Sequence, residues 1–381
     1  MKKIIIVLLC FTFIFPLGVF ANEELIPNAV SGLLMEADTG KIIFKKDINK
    51  KVAVASMTKI VAQIIIMENI ESGKIKWDDI VTVSKNAADM GGSQIYISEG
   101  EKISVSDLMK GISMASGNDA TVAMAEYISG SEAKFVELMN KKVKELGLKN
   151  TNFKNCTGLD EDGHYSSAYD MAVIARTLIN EHPSITSFSS VYEDYLRENT
   201  DNRFWLVNTN RLVRFYDGAD GLKTGHTDNA GYCLAATAKR NGLRLIAIVL
   251  GENNATTRNN ETMELLDYGY QNLKVKKLKN KNDIVKKIKL DKADKEIVDI
   301  ILKDDLTVVE DIGDNISYSE EIVIDDIKLP VKFGDVVGKI IVYSGSKKVK
   351  TGELTVNEDI NNLSFLKLLI NEIVDLVSGE F

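Results

Sequence analysis

The chain has 381 residues, 45% of them hydrophobic, with four prolines and a formal net charge of −8. That length exceeds what one average domain needs, and the apolar content belongs to ordered globular protein rather than to a disordered chain. The acidic balance disfavours nucleic acid as a partner and supplies no electrostatic pull toward anionic lipid.

Met1–Ala21 reads as a secretory signal peptide, with Lys2 and Lys3 as its basic start, an uncharged apolar run from Ile4 to Phe20, and Val19-Phe20-Ala21 at the cleavage positions. An uncleaved membrane anchor is the competing reading, because the run approaches spanning length. Cys10 follows Leu9 inside that run, which does not suit lipid attachment. The protein is expected to be exported and extracytoplasmic. Export permits a disulfide, but Cys156 and Cys233 are read as small buried residues.

Val30–Glu36 and Lys41–Lys45 look like strands joined by the turn Asp38-Thr39-Gly40. Ser56 opens a helix that runs to Met67 or beyond and is apolar almost all round, so it is expected to be buried. Helical pattern dominates Val105–Met114, Asp119–Ile128, Glu132–Leu146 and Ser167–Ile179, broken by a loop at Gly158–Gly163. Gly231–Lys239 and Leu243–Leu250 flank Asn241-Gly242, a strong hairpin signal. A helix from about Thr256 to Tyr270 closes this part.

Composition shifts near Lys274. Lys274–Lys289 is rich in lysine and Asp291–Asp326 is acidic. Short alternating runs at Asp305–Glu310, Ile316–Ile324, Lys328–Phe333, Lys339–Tyr343 and Glu353–Val356 predict a small all-β domain. Asp359–Phe381 predicts one terminal helix with a broad apolar stripe through Leu363, Leu366, Ile370, Ile373 and Val377. Glu372 and Asp375 argue against spanning. An interfacial membrane anchor fits, and packing on the β domain or on another subunit is the alternative. The expected boundaries are 1–21, 22–272, 273–357 and 358–381.

Three short motifs carry the chemistry. Ser56-Met57-Thr58-Lys59, Ser116-Gly117-Asn118 and Lys223-Thr224-Gly225 follow one another as S-x-x-K, S-x-N and K-T-G, the ordered signature of serine enzymes that open penicillin-like rings or cleave D-alanyl peptides. Each is weak alone: Ser131–Lys134 and Ser344–Lys347 also match the first, Ser84–Asn86 the second, and Lys350-Thr351-Gly352 repeats the third, where it reads as a surface turn. A serine at a helix start holds an unsatisfied N–H able to stabilise an oxyanion at the carbonyl it attacks. Lys59, three positions on, shares its face, and a desolvated lysine loses its charge and takes the hydroxyl proton. Ser116 is a candidate proton relay and Asn118 a candidate contact to Lys59 and the substrate. Lys223 and Thr224 are candidates for a substrate carboxylate, Gly225 for close backbone approach, and the N–H of His226 for a second oxyanion donor. His164, His182 and His226 are scattered without zinc-ligand spacing, and neither a G-x-S-x-G elbow nor a phosphate-binding glycine loop is present. No metal and no cofactor are expected.

Segments around the motifs make the likeness specific: Gly92-Ser93-Gln94, Asp119-Ala120, Gly158-Leu159, His164–Asp170, Asp220-Gly221-Leu222, His226-Thr227 and Ala230-Gly231-Tyr232. The chain resembles the low-molecular-mass penicillin-binding proteins, the serine-type D-alanyl-D-alanine carboxypeptidases, from about Ile26 to Tyr270, and its β domain and terminal helix match the family's layout. The resemblance implies an α/β (α+β) fold, with a β-lactamase/transpeptidase-like catalytic domain of antiparallel sheet, surrounding helices and a helical subdomain, then a small all-β domain and an amphipathic helix. It implies Ser56 as acyl-enzyme nucleophile, Lys59 as proton acceptor, Ser116 as third catalytic group and Lys223 as carboxylate ligand. Arg258 stands where some members place a helpful arginine, and Thr209 falls where another is expected. The implied partners are peptidoglycan stem peptides ending in D-Ala-D-Ala, β-lactams as covalent inhibitors, and a membrane surface through the terminal helix. A β-lactamase and a noncatalytic wall-binding scaffold are the alternatives.

Overall fold

The computed structural model describes residues 25–198, 200–364 and 367. The expected signal peptide and all of the terminal segment beyond Ser364 except Lys367 lie outside the described residues.

In chain order, β1 (Ser31–Glu36) and β2 (Ile42–Lys46) form the expected hairpin. A 3-10 turn, Ala55–Thr58, leads without a break into α1 (Lys59–Glu71). β3 (Ile80–Thr82) pairs with β4 (Lys102–Ser104), and α2 (Lys85–Ala88) lies between them. α3 (Val105–Lys110) widens into a π turn at Gly111–Ala115, followed by α4 (Asn118–Ser129), α5 (Glu132–Glu145) and α6 (Ala168–Glu181). After α7 (Thr186–Ser189), β5 (Glu193–Leu196) pairs with β6 (Phe204–Val207). α8 (Leu212–Phe215) precedes β7 (Ala219–Thr227), β8 (Gly231–Arg240) and β9 (Leu243–Glu252). α9 (Ala255–Asn272) then runs straight into β10 (Leu273–Lys279).

Helix starts follow from capping. Ser84, Ser104, Ser131, Ser167 and Asn254 each accept a backbone N–H from the first turn of the helix they precede. The stray matches at Ser84 and Ser131 are therefore caps. Asn241 and Gly242 both take positive φ, as a two-residue hairpin turn requires.

The main sheet is antiparallel, in the order β2-β1-β9-β8-β7. The middles of β8 and β9 are buried on both faces, which explains their continuous apolar runs. One face packs on α1 and α6 and the other on α9. Every residue of α1 from Lys59 to Met67 is buried, so this helix is the core on which the helical part and the sheet meet. β7 is left as the edge strand, facing the turn that carries Ser56.

The C-terminal part is a β domain. β11 (Ile284–Lys289), β12 (Ile297–Leu302), β14 (Tyr318–Ile324), β15 (Gly338–Ser344) and β16 (Lys347–Val356) form a sheet in the order β11-β12-β16-β15-β14, and β13 (Leu306–Asp311) pairs with β10. Three expectations are corrected here. Lys328–Phe333 is not a strand: Pro330 has no N–H, Asp335 accepts from Lys332 N, and only Val331 bridges, to Ile360. Residues 359–364 are not the start of a helix, because Ile360 is buried against the β core and Asn362 bridges Ala293. Lys350-Thr351-Gly352 lies inside β16, not in a turn.

Candidate active site

Ser56 sits on the 3-10 turn in front of α1, and that turn is shaped by its neighbours. Ala55 is held at φ 47°, a left-handed conformation that a non-glycine residue adopts only under constraint. Gly158, at φ +85°, lies directly on it. A Cβ there would be 1.9 Å from the Ala55 carbonyl oxygen and 2.9 Å from Ser56 N. From the other side Gly225 of β7 approaches so closely that a Cβ would be 2.7 Å from Val54 O and 3.3 Å from Met57 N. Glycine is the one residue that fits at either place.

Lys59 is fully buried, and its Nζ lies 2.8 Å from Ser56 Oγ, 2.7 Å from Asn118 Oδ1 and 2.6 Å from Thr157 O. The Asn118 amide is oriented by its own Nδ2, which donates to Gly91 O at 2.7 Å. Burial lowers the Lys59 amine to about 7, against the opposing pull of Cys156 and Asp119. Cys156 is itself buried and its thiol is pushed well up, so it supplies no thiolate charge near neutral pH. Asn118 Oδ1 and Thr157 O are acceptors only. They take the two N–H groups of a neutral amine, and its lone pair is left facing the Ser56 hydroxyl.

Ser116 ends the π turn at φ 64°, and its Oγ is buried without a hydrogen-bond partner among the described residues. Next to it, Asp119 is buried and accepts from the N–H groups of Ile95, Ile97 and Ala120, which ties the 95–97 loop to the start of α4.

Lys223, Thr224 and Gly225 lie on β7. Lys223 is fully buried and donates to Thr224 O at 3.0 Å; burial, then the charges of Lys59 and Arg258, hold it well below the usual lysine range. Thr224 Oγ1 donates to Thr209 Oγ1 at 2.8 Å, so the threonine found in place of an expected arginine touches the K-T-G strand directly. His226 is exposed and its ring stacks on Tyr232 at 4.0 Å. Arg258, on α9, is buried and donates to Asn259 Oδ1; its charge is felt at Lys223. Cys156 and Cys233 are both free and buried. Among the described residues no group of three or more His, Cys, Asp or Glu side chains is arranged to hold a metal ion.

Ser56, Lys59 and Asn118 are thus joined in one hydrogen-bonded network, with Ser116 and the K-T-G strand bordering it. Thr157 O and Gly91 O are essential to its geometry and invisible in the sequence, since a backbone carbonyl has no residue signature. Small cavities flank the Ser56 turn: about 310 Å³ lined by Gly158–His164, and about 380 Å³ lined by Val52, Tyr232 and His226–Gly231.

His164 braces the same turn. Its Nδ1 accepts from Lys154 N, which leaves Nε2–H to donate to Thr58 Oγ1 at 2.8 Å. The ring is 8% exposed, and burial lowers its value from 6.5 to about 4. Because the folded value lies below the unfolded one, the unfolded chain takes up the proton first. The stability from this group is full above about pH 6.5 and is lost as pH falls toward 4, a change of about 3 kcal/mol. Denaturant titrations of His164→Gln are expected to show a shallower loss of unfolding free energy between pH 6.5 and 4 than the parent. Equal slopes would rule out His164 as the source.

A sequence profile of the family described as D-alanyl-D-alanine carboxypeptidase matches residues 20–254, and one described as the C-terminal domain of penicillin-binding protein 5 matches 274–362. The chain is 45% identical over 350 residues to D-alanyl-D-alanine carboxypeptidase DacF of Bacillus subtilis, covering 91% of this chain and 90% of that protein. It is 32% identical to D-alanyl-D-alanine carboxypeptidase DacD of Escherichia coli, covering 90% and 89%. Among solved structures it is similar to penicillin binding protein 5 from Haemophilus influenzae (TM-score 0.66, 32% identity, 88% of this chain and 98% of that one). It is also similar to penicillin-binding protein D2 from Listeria monocytogenes in the ampicillin-bound form (TM-score 0.58, 30% identity, 64% and 98%).

Proposed function

The chain belongs to the D-alanyl-D-alanine carboxypeptidase family, and we propose that it removes the terminal D-alanine of peptidoglycan stem peptides through an ester on Ser56. The observation that carries this reading is the placement of the buried Lys59 amine, 2.8 Å from Ser56 Oγ with acceptor-only groups on its other two sides.

Lys59, neutral above its value of about 7, takes the Ser56 proton as Oγ attacks the carbonyl of the scissile peptide bond. Charge builds on that carbonyl oxygen, where the N–H groups of Ser56 and His226 stabilise it. The C–N bond then breaks. The proton held by Lys59 reaches the departing amine through the Ser116 hydroxyl, free D-alanine leaves, and the peptide remains as an ester. Attack of water on that ester, by the same proton route in reverse, restores Ser56 and releases the shortened peptide. The strained ring amide of a β-lactam enters the same first step and leaves the serine acylated. Asn118 holds Lys59 and offers its amide to the substrate.

Lys223 and Thr224 bind the terminal carboxylate. An entering carboxylate stabilises the charged ammonium that burial disfavours, so binding and recharging of Lys223 go together. A β-lactamase and a noncatalytic scaffold are both disfavoured, since the relatives are carboxypeptidases across most of the chain and the Ser56–Lys59–Asn118 network is intact. D-alanine release from a peptide ending in D-Ala-D-Ala is expected, falling about 100-fold when that terminus is an amide, because Lys223 then stays uncharged and the ionic contact that fixes the substrate is lost. Equal turnover of acid and amide would remove Lys223 from this role.

The reading also places the protein outside the cytoplasm and peripheral to the membrane, on the apolar sequence pattern of residues 365–381. No helix among the described residues is long and apolar enough to cross a membrane.

A further inference from the structure

A cleft of about 1460 Å³ lies where the β1–β2 and β8–β9 turns of the peptidase sheet meet the β domain. It shares no lining residue with the Ser56 site. Seven basic side chains line it against two acidic ones, in a chain whose formal net charge is −8. We propose that this cleft binds an extended phosphate-bearing polymer other than nucleic acid, holding the enzyme on an anionic polymer without occupying the active site.

Four observations carry the proposal. The first is unspent charge. Lys239 on β8 and Lys347 and Lys348 on β16 are exposed in the cleft and make no ion pair among the described residues. Like charges gathered in one concavity raise the local concentration of counter-ions. The second is the arrangement of two of the four pairs made by the other basic residues, Arg244 being bound to Asp220 and Lys277 to Asp305. Lys41 bonds Asp311 and Lys350 bonds Asp38, each at 2.5 Å, with one partner on the peptidase sheet and one on the β domain. These pairs are partly exposed and so contribute little to stability, and a phosphate replaces either aspartate at small cost. A bound strand would therefore touch both parts of the molecule.

The third is size. The cleft is larger than the roughly 300–1,000 Å³ common for small-molecule pockets, which suits a polymer segment. A bilayer presents a plane, and a recessed cleft admits a strand instead. The fourth is residue type. Six of the seven basic residues are lysines. Lysine binds phosphate as a point charge and does not impose the fixed bidentate geometry of the arginine fork, which suits a strand whose phosphates can shift along the cleft.

The test uses the full chain and long-chain polyphosphate as the probe, with binding followed by calorimetry over a series of salt concentrations. Saturable binding is expected, weakening steeply with salt as counter-ion release demands. Replacing the three unpaired lysines (Lys239→Gln, Lys347→Gln, Lys348→Gln) is expected to weaken it at least tenfold and to flatten the salt slope. D-alanine release should stay unchanged. Lys141→Gln with Lys144→Gln, on exposed positions of α5, should leave binding intact. Equal binding by the triple variant overturns the site, as does a matching loss in the α5 variant. Equal competition by inorganic phosphate at the same phosphate concentration overturns the polymer. Equal binding of polyglutamate overturns phosphate as the recognised group. If the triple variant loses binding only to phosphatidylglycerol vesicles and retains polyphosphate, the surface is a membrane contact and the proposal fails.

Discussion

Replacing Lys59 by methionine is expected to slow acylation of Ser56 by about four orders of magnitude, the scale seen when a base coupled to a serine nucleophile is removed. Methionine occupies similar volume in the fully buried site but offers no lone pair to the Ser56 hydroxyl. It also leaves Asn118 Oδ1 and Thr157 O without a donor, at about 1–3 kcal/mol for each buried acceptor. The melting temperature should therefore fall as well, and a second readout separates chemistry from folding. In the parent enzyme the acylation rate should rise with pH through about 7, because only the neutral amine accepts a proton and burial sets its value there. Acylation by Lys59→Met within tenfold of the parent, or a pH-independent rate from 6 to 8, would exclude Lys59 as the base.

Gly158→Ala is expected to slow acylation about 100-fold, by a different route. The new methyl group would sit 1.9 Å from the Ala55 carbonyl oxygen, a backbone atom with no freedom to swing away. Either the Ser56 turn shifts or the 158–163 loop lifts, and in both cases the 2.6 Å bond from Lys59 to Thr157 O is disturbed. A misplacement near 1 Å at a reacting centre is worth about 100-fold in rate. Gly163→Ala is the control. Its φ of +83° carries the same backbone penalty, of about 1 kcal/mol, but its Cβ would meet only the flexible end of Lys154, at 3.1 Å. A loss of acylation for Gly158→Ala and near-parent acylation for Gly163→Ala would isolate the contact with the Ser56 turn. Equal rates for the two variants would show that the clash is absorbed.

The parts of this site that were legible in the sequence are those where chemistry demands a side chain. Ser56, Lys59 and Asn118 announce themselves because a serine, a lysine three positions on and an amide are needed by type, and the fold places the Lys59 amine within 2.8 Å of both the Ser56 hydroxyl and the Asn118 amide oxygen. The carbonyls of Thr157 and Gly91 are as closely involved, yet any residue supplies a carbonyl. Gly158 was visible as a loop glycine, but its reason is packing against Ala55, which only three dimensions reveal.

The catalytic fold was readable because α1, β8 and β9 are buried enough for their apolar patterns to stand out. The β domain was harder. β10 and β11 carry lysine on their outward faces, so charge density hid a two-residue alternation, and both strands read only as a basic stretch. At the other end, Ile360 fell inside the range predicted for the terminal helix and instead belongs to the β core, since one apolar residue at a segment's edge fits either pattern.

The central claim is that Ser56 is the nucleophile of an acyl-enzyme. The most direct measurement is the intact mass of the protein after mixing with benzylpenicillin, in parallel with Ser56→Ala. A mass increase equal to one molecule of drug, located on the peptide containing Ser56 and absent from the variant, is the predicted result. An adduct of the same mass on Ser56→Ala, or an unmodified parent beside intact drug, would contradict it.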